Sequence, residues 1–292
     1  KQDRKFFALN TNLKLTTLKH GDTTFFNNKL FSTKTTVDYD KTKQLLNVPQ
    51  SDLIIGGVQF EFGGTVDFTD NVNLDLKVFG QKPDFSLLLA FVPDDLAPIF
   101  RSFDNRGQVF FNAKLNGPSS FGYTPLVEAE FGCKDGFFHN TKTDKILDQL
   151  NFTGFFTNGS DKTLKNARIE INDFNARPDQ GRFNVQLRVD DLTSPDIDLR
   201  MRTLFDLDYL TQFLNLDDVQ NVKGRVELEM NFRDIIDLNN PEKSIEKLNE
   251  SYFTRLNIRQ LGFDLPNYKE RIENINLALR VDGNSATLEE LR

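Results

Sequence analysis

The sequence predicts a mainly β protein: a mostly antiparallel sheet built from repeated strand modules, with short helices confined to the connecting loops. Three observations predict it. Apolar residues recur at every second position through most of the chain, the spacing that puts side chains on one face of a strand. The intervening positions are mostly Asp, Asn, Lys, Arg, Glu and Thr, so each strand has one dry and one wet face. Antiparallel sheets read this way, whereas buried parallel strands are apolar at nearly every position. The order of strands and helices also recurs, at a period of about 115 residues, the mark of a modular array.

The strands follow one another closely. Leu13-Leu15 is the first alternating pair, then Val58-Phe60-Phe62, Val66-Phe68, Val72-Leu74-Leu76-Val78 and Phe85-Leu87-Leu89-Phe91. Val109-Phe111-Ala113-Leu115, Val127-Ala129-Phe131 and Leu150-Phe152 come next. The second half brings Ile169-Ile171, Phe183-Val185-Leu187-Val189, Ile197-Leu199-Met201 and Val226-Leu228-Met230-Phe232. Leu256-Ile258, Ile275-Leu277-Leu279-Val281 and a strand over 286–288 complete the set. Helical signals are sparse. Residues 94–103 read as a short helix with an acidic start and Leu96, Ile99, Phe100 and Phe103 on one side. Residues 206–214 read the same way through Leu207, Leu210, Phe213 and Leu214. Asn240-Pro241 opens a third helix, with Asn as the cap, Pro in the first turn, and Ile245 and Leu248 on the buried side.

Two series align. VNLDLKV (72–78), PDFSLLLAF (83–91), a helix and RGQVFFNAKL (106–115) form the first; FNVQLRV (183–189), PDIDLRM (195–201), a helix and KGRVELEMNF (223–232) form the second. Val78 then matches Val189, Pro83 matches Pro195, and Gly107 matches Gly224. LNFTGFFTNG (150–159) and INLALRVDG (275–283) continue the match. Each module would hold about five strands and a helix-bearing loop. The expected division is 1–55 as part of a preceding β module, then modules over 56–160 and 161–292.

Composition sharpens the picture. Phenylalanine supplies 29 of 292 residues, with no Trp and five Tyr. An AT-rich genome favours Phe, Asn and Lys codons, but would raise Ile and Tyr too, so the excess points partly to selection for large, purely apolar surface. A net charge of −7 argues against a nucleic-acid interface, which needs basic stripes. The single cysteine, Cys133, leaves no disulfide framework and no cysteine metal cluster. No stretch of 18 uninterrupted apolar residues occurs. The chain opens mid-pattern at Lys1 and ends just after a strand, so it reads as a segment of a longer protein whose anchor or export signal lies outside it. Sequons stand at Asn151, Asn158 and Asn249, as chance allows at this Asn content.

Catalytic constellations are hard to assemble. His20 and His139 each sit beside a turn signal, with no nucleophile elbow or metal-spaced carboxylate nearby. Acidic pairs are plentiful (Asp38/Asp40, Asp94/Asp95, Asp190/Asp191, Asp196/Asp198, Asp217/Asp218) and any could suggest a calcium site or a glycosidase pair. Alternation places Asp196 and Asp198 on the wet face of a strand, and Asp94 and Asp95 open a helix, where negative charge is favoured. The expectation is a non-enzyme with no cofactor and no metal.

At GTVDF (64–68), at PDFSLLLAF and PDIDLRM, at the acidic-leucine helix DLDYLTQFL (206–214) and at the RGQVFF and GRVELEM strands, the chain resembles the AsmA-like family of bacterial envelope proteins. That family belongs to the repeating β-groove, bridge-like lipid transfer superfamily. The resemblance covers roughly residues 51–292, in the manner of a family C-terminal region, through patterns of alternation rather than invariant chemistry. It implies a long, curved sheet whose concave face is a hydrophobic groove for acyl chains. It also implies an inner-membrane anchor outside this segment, a periplasmic location, and a part in lipid transport and outer-membrane biogenesis. The expected partners are phospholipid and the membranes at either end of the full-length protein. The residues expected to line the groove are Phe60, Phe62, Phe68, Leu74, Leu76, Phe85, Leu87, Leu89, Phe111, Phe131, Phe152, Phe183, Val185, Leu187, Leu228 and Met230. Two other functions fit the pattern: an assembly factor holding outer-membrane protein strands by edge addition, and a non-catalytic β scaffold or glycan-binding module with a closed core.

Overall fold

The computed structural model describes residues 3–20, 23–91, 103–179, 181–214, 221–235, 252–264, 271–283 and 285–292. Fifteen strands follow one another: β1 (Arg4–His20), β2 (Thr23–Asp40), β3 (Leu45–Ile55), β4 (Val58–Asp67), β5 (Asn73–Lys82), β6 (Asp104–Pro118), β7 (Leu126–Asn140) and β8 (Lys145–Thr157), then β9 (Arg168–Pro178), β10 (Arg182–Asp190), β11 (Asp196–Asp206), β12 (Lys223–Ile235), β13 (Phe253–Asp264), β14 (Arg271–Asp282) and β15 (Ser285–Leu291). They form one antiparallel sheet in strict chain order, unclosed, with β1 and β15 as its edges. Among the described residues two helices interrupt it, α1 (Ser86–Leu89) and α2 (Leu207–Phe213), with one 3₁₀ turn at Leu164–Asn166. This is the mainly β, antiparallel fold with short loop helices that the alternation predicts. Contacts divide the chain into two compact units, one of residues 1–102, 106–133 and 155–167, the other of 103–105, 134–154 and 168–292.

In the first unit the alternating apolar residues stand side by side across strands. Val66 pairs with Leu46 and Leu74, and Leu76 pairs with Gly64 and Leu115. Asp75, Lys77, Asn112 and Lys114 occupy the opposite face by the same register. Register is fixed this firmly because a one-residue slip would turn every dry residue to water. Gly64 makes one approach possible: at φ 140°, a Cβ there would sit 2.0 Å from the Asp75 carbonyl oxygen.

One element departs from the expected strand series. Residues 85–91 fold as α1 and its flanking turns rather than as a strand. Asp84 Oδ1 accepts the Ser86 N–H at 2.9 Å, and the Leu88 and Leu89 N–H groups donate to the Phe85 carbonyl. The run is apolar at nearly every position, so it satisfies a helical period as well as a period of two. Leu87 and Val109 are fully enclosed, and Phe60 is 1% exposed; α1 packs here against β4 and β5, with Leu87 and Phe60 meeting over Gly80. The Phe60 ring meets Phe91 and Phe111 edge-on, and Phe91 stacks on Phe111 at 4.4 Å. The repeat therefore shifts by one strand. The recurring series is β4–β5–α1–β6 and β10–β11–α2–β12, which matches 72–78 to β11 rather than to 183–189. Gly107 and Gly224 do correspond: both have positive φ, and each lies two residues before a buried valine, Val109 or Val226.

In the second unit the helix expected over 206–214 is α2. Its last carbonyls, Gln212 and Phe213, accept from the Nδ2 of Asn140, which is 1% exposed, and Thr143 Oγ1 donates to Gln212 as well. Tyr209 Oη donates to the Ile146 carbonyl at 2.6 Å. Burial first, then the nearby Asp179 and Asp148, holds this phenol above its ordinary pKa, so it remains a donor. Phe213 stacks on Tyr209 and leans on Phe103, whose ring meets Phe138. The helix expected over 94–103, apart from Phe103, and the one opening at Asn240-Pro241 lie outside the described residues.

Candidate functional site

Cross-strand register assembles the dry face of the second unit row by row. One row runs Phe174–Val185–Met201–Met230–Thr254–Val281, from β9 to β14. A second runs Phe183–Thr203–Leu228–Leu256–Leu279–Leu288, ending on β15. A third joins Ile171, Leu187, Leu199 and Phe232. Most of these side chains are half-buried rather than enclosed, although every strand from β9 to β14 has neighbours on both sides. A second layer packed over them would remove them from water altogether, as interiors are close-packed.

The expected lining residues sort by this measure. Phe62, Leu74, Leu76 and Phe111 lie half-buried on β4, β5 and β6 in the first unit, and Phe131 lies half-buried on β7. Phe152, Phe183, Val185, Leu187, Leu228 and Met230 do the same in the second unit, where the Phe152 ring stacks on Phe174. Phe68 follows the end of β4 and is exposed, edge-on to Tyr39. Phe60, Phe85 and Leu87 are enclosed, and Leu89 belongs to α1. The expectation that Phe60, Phe85 and Leu87 line an open face is corrected by α1: the helix covers Phe60, and Phe85 and Leu87 are its packing residues, whereas Leu89 stays half-buried.

Other residues complete the face without standing out in the sequence. Met201 was legible only as a member of an alternating strand, and Phe174 escaped the alternation because the register shifts between Ile171 and Phe174. Phe7, Leu9 and Leu13 of β1 are exposed, and Phe7 pairs with Val37, Leu9 with Thr35, Leu13 with Phe31. β2 is rich in Thr, Asn and Lys and alternates weakly, so the sequence hides it.

The wet face is a lattice of ion pairs. Arg168 and Arg188 both reach Asp190, at 2.7 and 2.6 Å; Arg177 grips Asp148 through two bonds; Arg202 pairs with Glu229. Burial pushes the Asp190 carboxyl up, but hydrogen bonds and charge from the two arginines outweigh it and hold it below its usual range. Asp191 and Asp40 accept backbone N–H groups in turns. Asp38 pairs with Arg4, and Asp198 stands near Arg200. Asp94, Asp95, Asp217 and Asp218 lie outside the described residues, as does Asn249. His139 Nε2 meets Asp144 Oδ1 at 2.9 Å. Among the described residues no three His, Cys, Asp or Glu side chains are grouped to hold a metal, and no helix is long and apolar enough to cross a membrane.

Asparagine does structural work that the sequence left to codon bias. Asn151 Nδ2 donates to the Gln149 carbonyl while its Oδ1 accepts the Asp135 N–H, and Asn276 Oδ1 accepts the Gln260 N–H. Gln149, Asp135 and Gln260 all have positive φ, so these amides buttress strand irregularities. Asn158 is buried, its amide bonded to Val127 and Pro125, and a folded chain offers it poorly to a glycan. Compared with protein-family models, with curated proteins and with solved structures, the chain has no match in any of the three.

Proposed function

We propose that this chain binds phospholipid acyl chains along its apolar sheet face and contributes to lipid transport between membranes of the cell envelope, in the manner of the AsmA-like proteins it resembles. The observation that carries the reading is the set of cross-strand apolar rows, half-buried on strands that have neighbours on both sides. A bare 16-carbon chain in water costs roughly 12 kcal/mol, at about 0.8 kcal/mol per methylene. Rows of Leu, Val, Phe and Met remove most of that cost, so exchange between a bilayer and the face is nearly neutral and needs no chemistry. In this reading the face lines a groove, the headgroup stays at its wet rim, and chain length matters more than headgroup. The segment works in the periplasm, joined to an inner-membrane anchor, without a cofactor.

Mass spectrometry of molecules that co-purify with the protein tests the reading. Bound phospholipid is expected, and a lipid-free, fully folded protein would sink it. Leu187→Asp should abolish lipid pickup, whereas Lys77→Asp, exposed on the wet face, should not; equal loss in both would point to unfolding. A second reading has one observation behind it. β1 is an edge strand of 17 residues with exposed Phe7, Leu9 and Leu13, the geometry by which an assembly factor could hold an unfolded strand. Co-purifying peptide instead of lipid would favour it.

A further inference from the structure

The chain has two methionines, and the register sets them directly opposite each other, Met201 on β11 against Met230 on β12. Both are half-buried on the dry face of the second unit. Beside them are two threonines on the same face. Thr203 is two residues along β11 from Met201, and Thr254 pairs with Met230 across β12 and β13. Thr203 is 3% exposed and Thr254 6% exposed, and neither hydroxyl has a hydrogen-bond partner among the described residues. A buried hydroxyl left without a partner costs stability, and an isosteric valine would remove that cost. Two such groups on one small patch of an otherwise hydrocarbon face ask for an occupant that supplies their partners.

We infer that Thr203 and Thr254 select an oxygenated lipid, an ester-linked or hydroxylated acyl chain, over plain hydrocarbon, and that Met201 and Met230 are the movable cover over them. This rests on the acyl-chain reading above. An ester carbonyl brought along the face accepts from a threonine O–H that gave up its water bonds when the protein folded. The oxygens are inaccessible in the unliganded face, so something must move to admit the ester. Methionine has three rotatable side-chain bonds and a polarisable sulfur, and it adapts where Leu, Val and Phe hold fixed rotamers. The two methionines sit where that freedom is needed.

The test uses the whole chain and two probes of similar length, methyl palmitate and octadecane, supplied as an equimolar mixture. After extraction, gas chromatography gives the bound ratio, and thermal unfolding gives Tm. Wild type should favour the ester. Thr203→Val/Thr254→Val should bind as much probe in total, lose about fivefold of the preference, as removal of neutral hydrogen bonds implies, and keep or raise its Tm. Met201→Ile/Met230→Ile, apolar but stiff, should lower ester uptake more than octadecane uptake. A threonine double variant with an unchanged ratio overturns the inference, whatever its Tm. If wild type takes up neither probe, the acyl-chain reading itself falls.

Discussion

Asn140 does with one side chain what a helix end otherwise needs water for. Its Nδ2 donates to the carbonyls of Gln212 and Phe213, groups that have no partner inside α2, and its Oδ1 accepts the Lys142 N–H. Asn140→Ala takes the side-chain bonds from the Phe213 carbonyl and the Lys142 N–H, while Gln212 keeps the one from Thr143, so it should cost about 1–3 kcal/mol in denaturant unfolding. Tyr209→Phe removes a single bond, to Ile146, and should cost about 1 kcal/mol. A Tyr209→Phe cost equal to that of Asn140→Ala would mean that the bond to Ile146 holds the helix as firmly as the capping does. Asp190 gives a prediction in pH. Its carboxyl is held below its unfolded value by Arg188 and Arg168 against the opposing effect of burial. A lowered carboxylate stabilises the fold above the unfolded value, about pH 4, and that contribution drains away as pH falls through the folded value. The stability gap between wild type and Asp190→Asn should therefore be present at pH 6 and close below about pH 4. Because the side chain is about a third exposed, the gap should also shrink with added salt.

At the scale of elements, the sheet was legible and its punctuation less so. Strands such as β10 and β11 announce themselves because one face is apolar at every second residue, and the register then sets Val185 against Met201 and Leu187 against Leu199. α1 was hidden because Leu87, Leu88 and Leu89 run together, and only the Asp84 carboxylate, which accepts the Ser86 N–H, distinguishes a turn there. Its packing is also what separates Phe60 and Phe85 from the rest of the expected lining, a tertiary fact that alternation cannot carry. Leu87→Ala should cost about 2–5 kcal/mol, since Leu87 is fully enclosed and Gly80 leaves its site by design without a side chain to collapse inward. Gly64→Ala should cost about 3 kcal/mol or more, by positive φ and by its clash with the Asp75 carbonyl. Gly57→Ala is the control: φ is +86° but nothing lies within 4 Å, so only the backbone cost of about 1–2 kcal/mol remains. Equal midpoints for the two glycine variants would show that the β4–β5 approach is looser than the register implies.

Across the whole molecule, each strand hydrogen-bonds to its neighbours in sequence, so the sheet grows by local pairings with no crossover. Such a chain satisfies its backbone bonds strand by strand without a second layer, and nothing in that scheme obliges the dry face to be covered. This is why the candidate site was legible as a face yet not as a site: periodicity tells which side chains are apolar neighbours, while exposure depends on what packs above them. Half-buried Val185, Leu187 and Leu228 contrast with enclosed Leu87 and Phe60, where α1 does pack. The difference can be read in solution. A dye that brightens on apolar surface should bind the native protein at pH 7, in contrast to ordinary native proteins, in which such binding marks loosened packing. Unfolding should remain cooperative in the presence of the dye, since the strands that carry the face are paired on both sides. Long-chain fatty acid should displace the dye, and Leu187→Asp should weaken dye and fatty acid together. A native protein that stays dark until it unfolds would mean the rows are closed over, and the face would then be an ordinary core.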